Sequence, residues 1–227
     1  YRAGVDALIV QDMALLELDL PPIPLHASTQ MDNRTPEKVK FLHGLGFSQV
    51  VLARELSLAE IQAVHAACDV PLEVFVHGAL CVSYSGQCYV SQHCFGRSAN
   101  RGECAQFCRL KFDMVDSDGR MIEQGRHLLS LKDMNRGEDL ERLLDAGVTS
   151  LKIEGRLKDV AYVKNVTAWY RSRLDEIFKR RPEYRRASSG QVSLAFTPCL
   201  EKSFNRGFTR YFLDGRTPDI FSFHTPK

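Results

Sequence analysis

Apolar runs recur along the chain behind a glycine. AGVDALIV (Ala3 to Val10), LGFSQVVL (Leu45 to Leu52) and AGVTSLKI (Ala146 to Ile153) follow one order: a small or apolar residue, glycine, an apolar residue, two variable positions, an apolar run. The glycine suits the left-handed position that ends a helix. The run suits a buried strand. Two further strands enter behind a proline, in IPLHAS (Ile23 to Ser28) and VPLEVFV (Val70 to Val76). At a strand start the missing N–H does little harm.

Helical patterns lie between these runs. Thr35-Pro36 reads as an N-cap with proline at the first helical position, ahead of EKVKFLHGL. Ser57 and Glu60 have capping-box spacing before IQAVHAA. Leu140, Leu143 and Leu144 mark a short helix. Val163, Val166, Tyr170, Leu174 and Ile177, at spacings of three and four, mark a long one. Such alternation predicts an α/β fold with a parallel sheet and right-handed crossovers, either a (β/α) barrel or an open doubly wound sheet. Five strands are counted, so a barrel would be a partial one, with about five of eight strands present. The expected organisation is a partial TIM-like barrel over 1–186, a cysteine-rich insertion at about 81–134, and the start of a β-rich C-terminal domain over 187–227, after the loop-like ASSG.

Composition narrows the class. The chain has 227 residues, 44% hydrophobic and 26% charged, the profile of a soluble globular protein. No apolar run reaches the roughly 18 residues of a membrane span. The opening YRAGVDALIV has no basic leader and no cleavage site. A cytoplasmic protein without a membrane partner is therefore expected, and the absent initiator methionine reads as a fragment. The net charge of +2 says nothing about partners. In KRRPEYRR (Lys179 to Arg186) five of eight residues are basic. With nothing aromatic and repetitive beside it, this run is read as a solvated helix end rather than a phosphate-contacting patch.

In parallel α/β sheets, chemistry gathers at the C-terminal ends of the strands. Polar residues stand at all five ends. His26 ends the second strand and His77 follows the fourth. Lys152 lies in the fifth, with Glu154 and Arg156 beyond it. Strand ends meet water, so any one of these is unremarkable alone. As a group, His26, His77, Lys152, Glu154 and Arg156 are read as a shared polar pocket suited to a small anionic substrate.

Seven cysteines raise a sharper question. Five fall within 28 residues, spaced Cys81-x6-Cys88-x5-Cys94-x9-Cys104-x3-Cys108. Without a secretion signal, clustered thiols more often bind metal or do chemistry than form disulfides. Zinc knuckles prefer C-x2-C pairs, and none occurs. The spacing is compatible with a [4Fe–4S] cluster without proving one. Cys104 and Cys108 would share one face of a helix. Cys81 with His77 would be a thiol nucleophile and its base, a weak pattern beside so many other thiols. DSDG (Asp116 to Gly119) fits a hairpin turn between LKFDMV and RMIEQ better than a calcium loop. Cys68 and Cys199 read as small hydrophobes.

EVFVHGALCVSYSGQCYVS (Glu73 to Ser91), GRSANRGECAQFCR (Gly96 to Arg109), LKIEGRLKDVAYVKN (Leu151 to Asn165) and FNRGFTRYFLDGR (Phe204 to Arg216) resemble the signatures of the peptidase U32 family, known as collagenase-like peptidases. Within that family the chain is most similar to the bacterial 23S rRNA 5-hydroxycytidine synthase branch. The resemblance implies a TIM-like barrel. It implies Cys81, Cys88, Cys104 and Cys108 as ligands of an iron–sulfur cluster, with Cys94 outside the set. It also implies oxygen-independent hydroxylation of RNA, with prephenate as co-substrate. The alternative it carries is peptide hydrolysis, using Cys81 or a bound metal.

Overall fold

The computed structural model describes residues 1–187, 189–190 and 192–223; the ASSG break and the last residues of the C-terminal stretch lie partly outside them. In chain order the elements are β1 (Leu8–Val10), β2 (Leu25–Ala27), α1 (Pro36–Gly44), β3 (Gln49–Val51), α2 (Leu58–Ala67), β4 (Leu72–Gly78), α3 (Val90–Phe95), β5 (Phe112–Val115), β6 (Met121–Arg126), β7 (Asp133–Asn135), α4 (Leu140–Asp145), β8 (Val148–Ile153), α5 (Val160–Arg180) and β9 (Phe208–Thr209).

Strands β1, β2, β3, β4 and β8 pair in parallel, in that spatial order. These are the five strands read from the sequence. Their inward side chains meet the helices in one core. Val10, Ala27, Val50, Leu72, Val74 and Val76 pack with Val39 and Leu42 of α1, Ile61 and Val64 of α2, Leu140 and Leu143 of α4, and Val166 and Tyr170 of α5. Burying such a layer is the main favourable term for the fold. The sheet is open: among the described residues β1 pairs only with β2, and β9 only with β7.

The helix starts follow their sequence signals. The Thr35 hydroxyl accepts from Lys38 N at 3.2 Å, and Pro36 opens α1. At α2 the capping box is complete: Ser57 Oγ accepts from Glu60 N at 3.3 Å, and Glu60 Oε2 accepts from Ser57 N at 2.7 Å. Gly147, before β8, has φ +85°, and a Cβ there would lie 2.3 Å from the His65 ring of α2. A left-handed turn and a close helix approach thus both require glycine. On α5 the buried positions include Tyr162 and Val166, whereas Val163 is 48% exposed, so the stripe begins one residue earlier than its spacing indicates.

Two strands were not foreseen. Strand β7 pairs antiparallel with the end of β4, His77 opposite Asn135 and Gly78 opposite Met134, and β9 then pairs parallel with β7. Three and two residues are too short to show any periodicity. The segment expected to open a separate β-rich unit supplies β9 and packs onto the rest: Leu200 and Leu213 join the main core. Tyr211, Phe212 and Ile220 form a second cluster with Val51, Phe75, Leu80 and Met134. The β5–β6 hairpin forms its own two-stranded sheet, and Asp116 Oδ1 accepts from Asp118 N and Arg120 N at 2.9 Å each, so DSDG is the turn expected. The basic run at the end of α5 is ion-paired to its neighbours: Arg181 with Glu141 at 2.7 Å and Asp145 at 2.8 Å, Arg186 with Asp175 at 2.8 Å. No helix among the described residues is long and apolar enough to cross a membrane.

Candidate functional site

A cavity of about 1430 Å³ opens at the C-terminal ends of β4 and β8, between the cysteine-bearing insertion, the start of α5 and the C-terminal segment. Its lining includes Cys81, Cys88, Cys104 and Cys108. Local backbone geometry puts them there. Gly78 ends β4 with φ +103°, where a Cβ would lie 2.3 Å from the Glu154 carbonyl oxygen. The chain can therefore turn tightly against the end of β8 and deliver Cys81. The loop to Cys88 is then pinned to the β2 and β3 ends. Glu55 accepts from Ser85 N and Ser85 Oγ at 2.9 Å each, and Gln30 Oε1 accepts from Gly86 N at 3.0 Å. Ser91 Oγ accepts from Ala105 N at 3.0 Å, holding the Cys104 segment to α3.

Arg109 closes the loop. Its guanidinium donates to Leu80 O at 2.7 Å, Leu131 O at 2.8 Å and Ser130 Oγ at 2.8 Å. One side chain beside Cys108 thus ties the residue before Cys81 to the far end of the insertion. Cys104 and Cys108 do not share a helix. Gln106, between them, has φ +55°, which breaks any helical path. Its N–H instead lies 3.4 Å from Cys104 Sγ, as a donor to the sulfur.

Burial pushes the Cys81 thiol up, opposed by the Ser83 N–H, and the charges of Cys88 and Cys104 raise it further. Burial also raises Cys108, opposed by Arg109; Cys81, Cys104 and Cys88 add to the rise. Cys94 is exposed and lies outside the cavity lining. Cys68 and Cys199 are half-buried elsewhere. Among the described residues, no three His, Cys, Asp or Glu side chains converge as a site for a single metal ion.

Of the five strand-end residues expected to form one pocket, Glu154 and Arg156 line the cavity. Glu154 pairs with Arg54 at 3.3 Å and accepts from Arg156 N at 3.1 Å. The other three do not line it. Lys152 points along the sheet to Glu73 at 2.8 Å, where Ser150 and Gln49 donate to the same carboxylate at 2.6 and 3.0 Å. His26 is half-buried on β2, between Ile9 and Gln49 in register. His77 is 2% exposed and ringed by Tyr162, Tyr170 and Phe208. Its Nδ1 lies 3.3 Å from the Tyr170 hydroxyl, which donates to Val76 O at 2.9 Å. The same hydroxyl lies 3.1 Å from Asn135 Oδ1, a second acceptor. Desolvation, followed by the charge of Lys158, lowers the His77 pKa to about 4. A register shift between Phe75 and His77 turns the ring into this cage. His77 therefore cannot serve Cys81 as a base, and a thiol raised by burial is not an activated nucleophile.

The sequence reading passed over most of the charge in the cavity. Seven arginine and lysine side chains line it against two carboxylates, Glu154 and Asp159. Lys158 and Lys164 stand in LKIEGRLKDVAYVKN and Arg206 in FNRGF, so the motifs were in view while their side-chain directions were not.

Comparison with known proteins fixes the family. The model for peptidase family U32 matches residues 1–221. The chain belongs to peptidase family U32. Members of the family with different names resemble it. The chain is 57% identical to the 23S rRNA 5-hydroxycytidine C2501 synthase of Escherichia coli K12, over all of this chain and 35% of that protein. It is 37% identical to tRNA hydroxylation protein P1 of Bacillus subtilis 168, over 99% of this chain and 55% of the relative. It is 31% identical to a collagenase of Porphyromonas gingivalis W83, over 95% of this chain and 54% of the relative. The chain thus spans between about a third and just over half the length of these U32 relatives. No solved structure matches it.

Proposed function

We propose that this U32 protein is an RNA-modifying hydroxylase acting on a cytidine of 23S rRNA. In this reading Cys81, Cys88, Cys104 and Cys108 hold a [4Fe–4S] cluster, and prephenate is the small anionic co-substrate. The carrying observation is that four cysteines line one cation-rich cavity. The donor set fits the group: all four are thiols, they surround a shared space rather than one point, and a backbone N–H already faces Cys104 Sγ. Replacing a base C–H by C–OH is a two-electron oxidation, which hydrolytic side chains cannot supply. A bound cluster supplies one-electron redox chemistry. The chain's own residues bind and orient. Arg156, with Arg54 held by Glu154, presents positive charge beside the thiols for carboxylate groups. Tyr84 and Tyr89 shape the insertion side of the cavity. We read β1 to β4 and β8 as consecutive strands of a (β/α) barrel, whose strand ends carry the site.

Peptide hydrolysis is the weaker reading, because His77, the base expected for Cys81, is caged by Tyr162, Tyr170 and Phe208 and does not line the cavity. Anaerobic purification separates the two. The proposal expects a brown protein with about four irons per chain, bleached by Cys104→Ala, that forms 5-hydroxycytidine detectable by nucleoside mass spectrometry. A colourless protein that cleaves gelatin, and stops doing so as Cys81→Ala, overturns it.

A further inference from the structure

One wall of the cavity is built by a segment that neither the cluster nor the co-substrate uses. Residues 196–206 arch over the start of α5 and are tied to it by a single side chain. Asn165 Nδ2 donates to Cys199 O and Ser203 Oγ at 2.6 Å each, and Asn165 Oδ1 accepts from Cys199 N at 2.9 Å. This tie joins the end of one sequence motif, LKDVAYVKN, to the CLEKS stretch (Cys199 to Ser203) that leads into a second, FNRGF. It fixes cations against aromatic rings along the arch. Lys164 Nζ lies 5.3 Å from the Phe196 ring centre, and Lys158 Nζ lies 3.5 Å from that of Phe204. Lys202 and Ser203 lie on the lining between the two rings in sequence.

These lysines sit against rings and not against carboxylates. Arg206 is taken by Asp133 at 3.1 Å. The lysine ion pairs among the described residues are Lys132–Asp219 and Lys152–Glu73, which leaves Lys158, Lys164 and Lys202 without a carboxylate partner among them. The arginines at the end of α5, by contrast, are largely neutralised. Unpaired ammonium groups alternating with partly exposed rings match a chain that alternates phosphates and bases. A small dicarboxylate would need the cations but not the rings.

We infer that the 196–206 arch, held on α5 by Asn165, is a binding track for single-stranded RNA. In this track Lys164 and Lys202 contact phosphates and Phe196 stacks a base next to the nucleotide in the cavity. The inference rests on the RNA-modifying reading and adds the form of the substrate and the residues that hold it. Duplex RNA hides its base faces and would not use the rings.

The test is fluorescence anisotropy with a short labelled RNA, single-stranded and as a duplex, on the purified full-length protein. The single strand should bind more tightly than the duplex. Lys164→Ala/Lys202→Ala should weaken it about tenfold and reduce the salt slope by about 1.4, two phosphate contacts' worth. Phe196→Leu should weaken it about fivefold or more. Circular dichroism melts check that each variant folds, and the lysine pair decides the matter if Phe196→Leu does not. Variants that bind single-stranded RNA with wild-type affinity and salt slope overturn the track, as does loss confined to prephenate binding. Nucleoside mass spectrometry keeps the two ideas apart. Lysine-dependent RNA binding without 5-hydroxycytidine formation sinks the reaction and leaves the track, whereas product formation with unimpaired variant binding does the reverse.

Discussion

His77 shows how far a strand-end residue can depart from its apparent role. Its pKa is held at about 4, against 6.5 for a free side chain, chiefly by desolvation. Between those values an unfolded chain takes up a proton that the folded one refuses. Stability is therefore complete above about pH 6.5 and declines as the pH falls toward 4, by up to about 3 kcal/mol. Urea titrations at pH 7 and pH 4.5 should show that loss, and His77→Asn should show a clearly smaller one. Gly86 makes the complementary point. With φ +78°, and with a Cβ placed 2.1 Å from the Gln30 carbonyl oxygen, it admits no side chain. Gly86→Ala should destabilise by about 1–3 kcal/mol or more, read by denaturant midpoint, and, under the proposed cluster, lower its iron content because Cys88 lies two residues on. The clustering of the cysteines is plain in the sequence, and the structure adds that four of the five line one cavity. The setting of His77 was not legible, because a buried core histidine and a pocket histidine look alike in sequence, and the register shift that separates them has no local signature.

At the scale of elements, punctuation carried the reading. Proline before β2 and β4, glycine before β3 and β8, and the caps of α1 and α2 each dictate a backbone conformation that the structure adopts. Ser57→Ala should lower stability by about 1 kcal/mol, seen as an unchanged m-value with an earlier midpoint. Glu60, whose pKa is lowered first by the Ser57 N–H and also by the Ser57 hydroxyl, loses only the hydroxyl's share in that variant and should titrate slightly higher. The failures share a cause. Strands β7 and β9 owe their existence to neighbours distant in sequence. The expected Cys104–Cys108 helix is undone by one left-handed residue, Gln106. Side-chain direction at the cavity was equally hidden: Lys152 turns to Glu73, whereas Glu154, two residues on, reaches the lining.

Across the whole molecule, the core and the site are separable. The main core draws on the parallel strands and on α1, α2, α4 and α5 and includes no residue between Cys81 and Cys108. Under the proposed cluster, removing its iron should therefore leave the far-UV spectrum nearly intact while exposing the insertion to limited proteolysis, with cleavage mapping to 81–110 by mass spectrometry. The sheet has a further consequence, in time rather than space. Strand β7 sits between β4, made long before it, and β9, made long after it. On the ribosome, its pairing edge is left open while everything up to α5 can fold, until Phe208 and Thr209 arrive. Open strand edges recruit other chains. Until Thr209 is made, the edge of β7 that β9 covers is a place where another chain can pair.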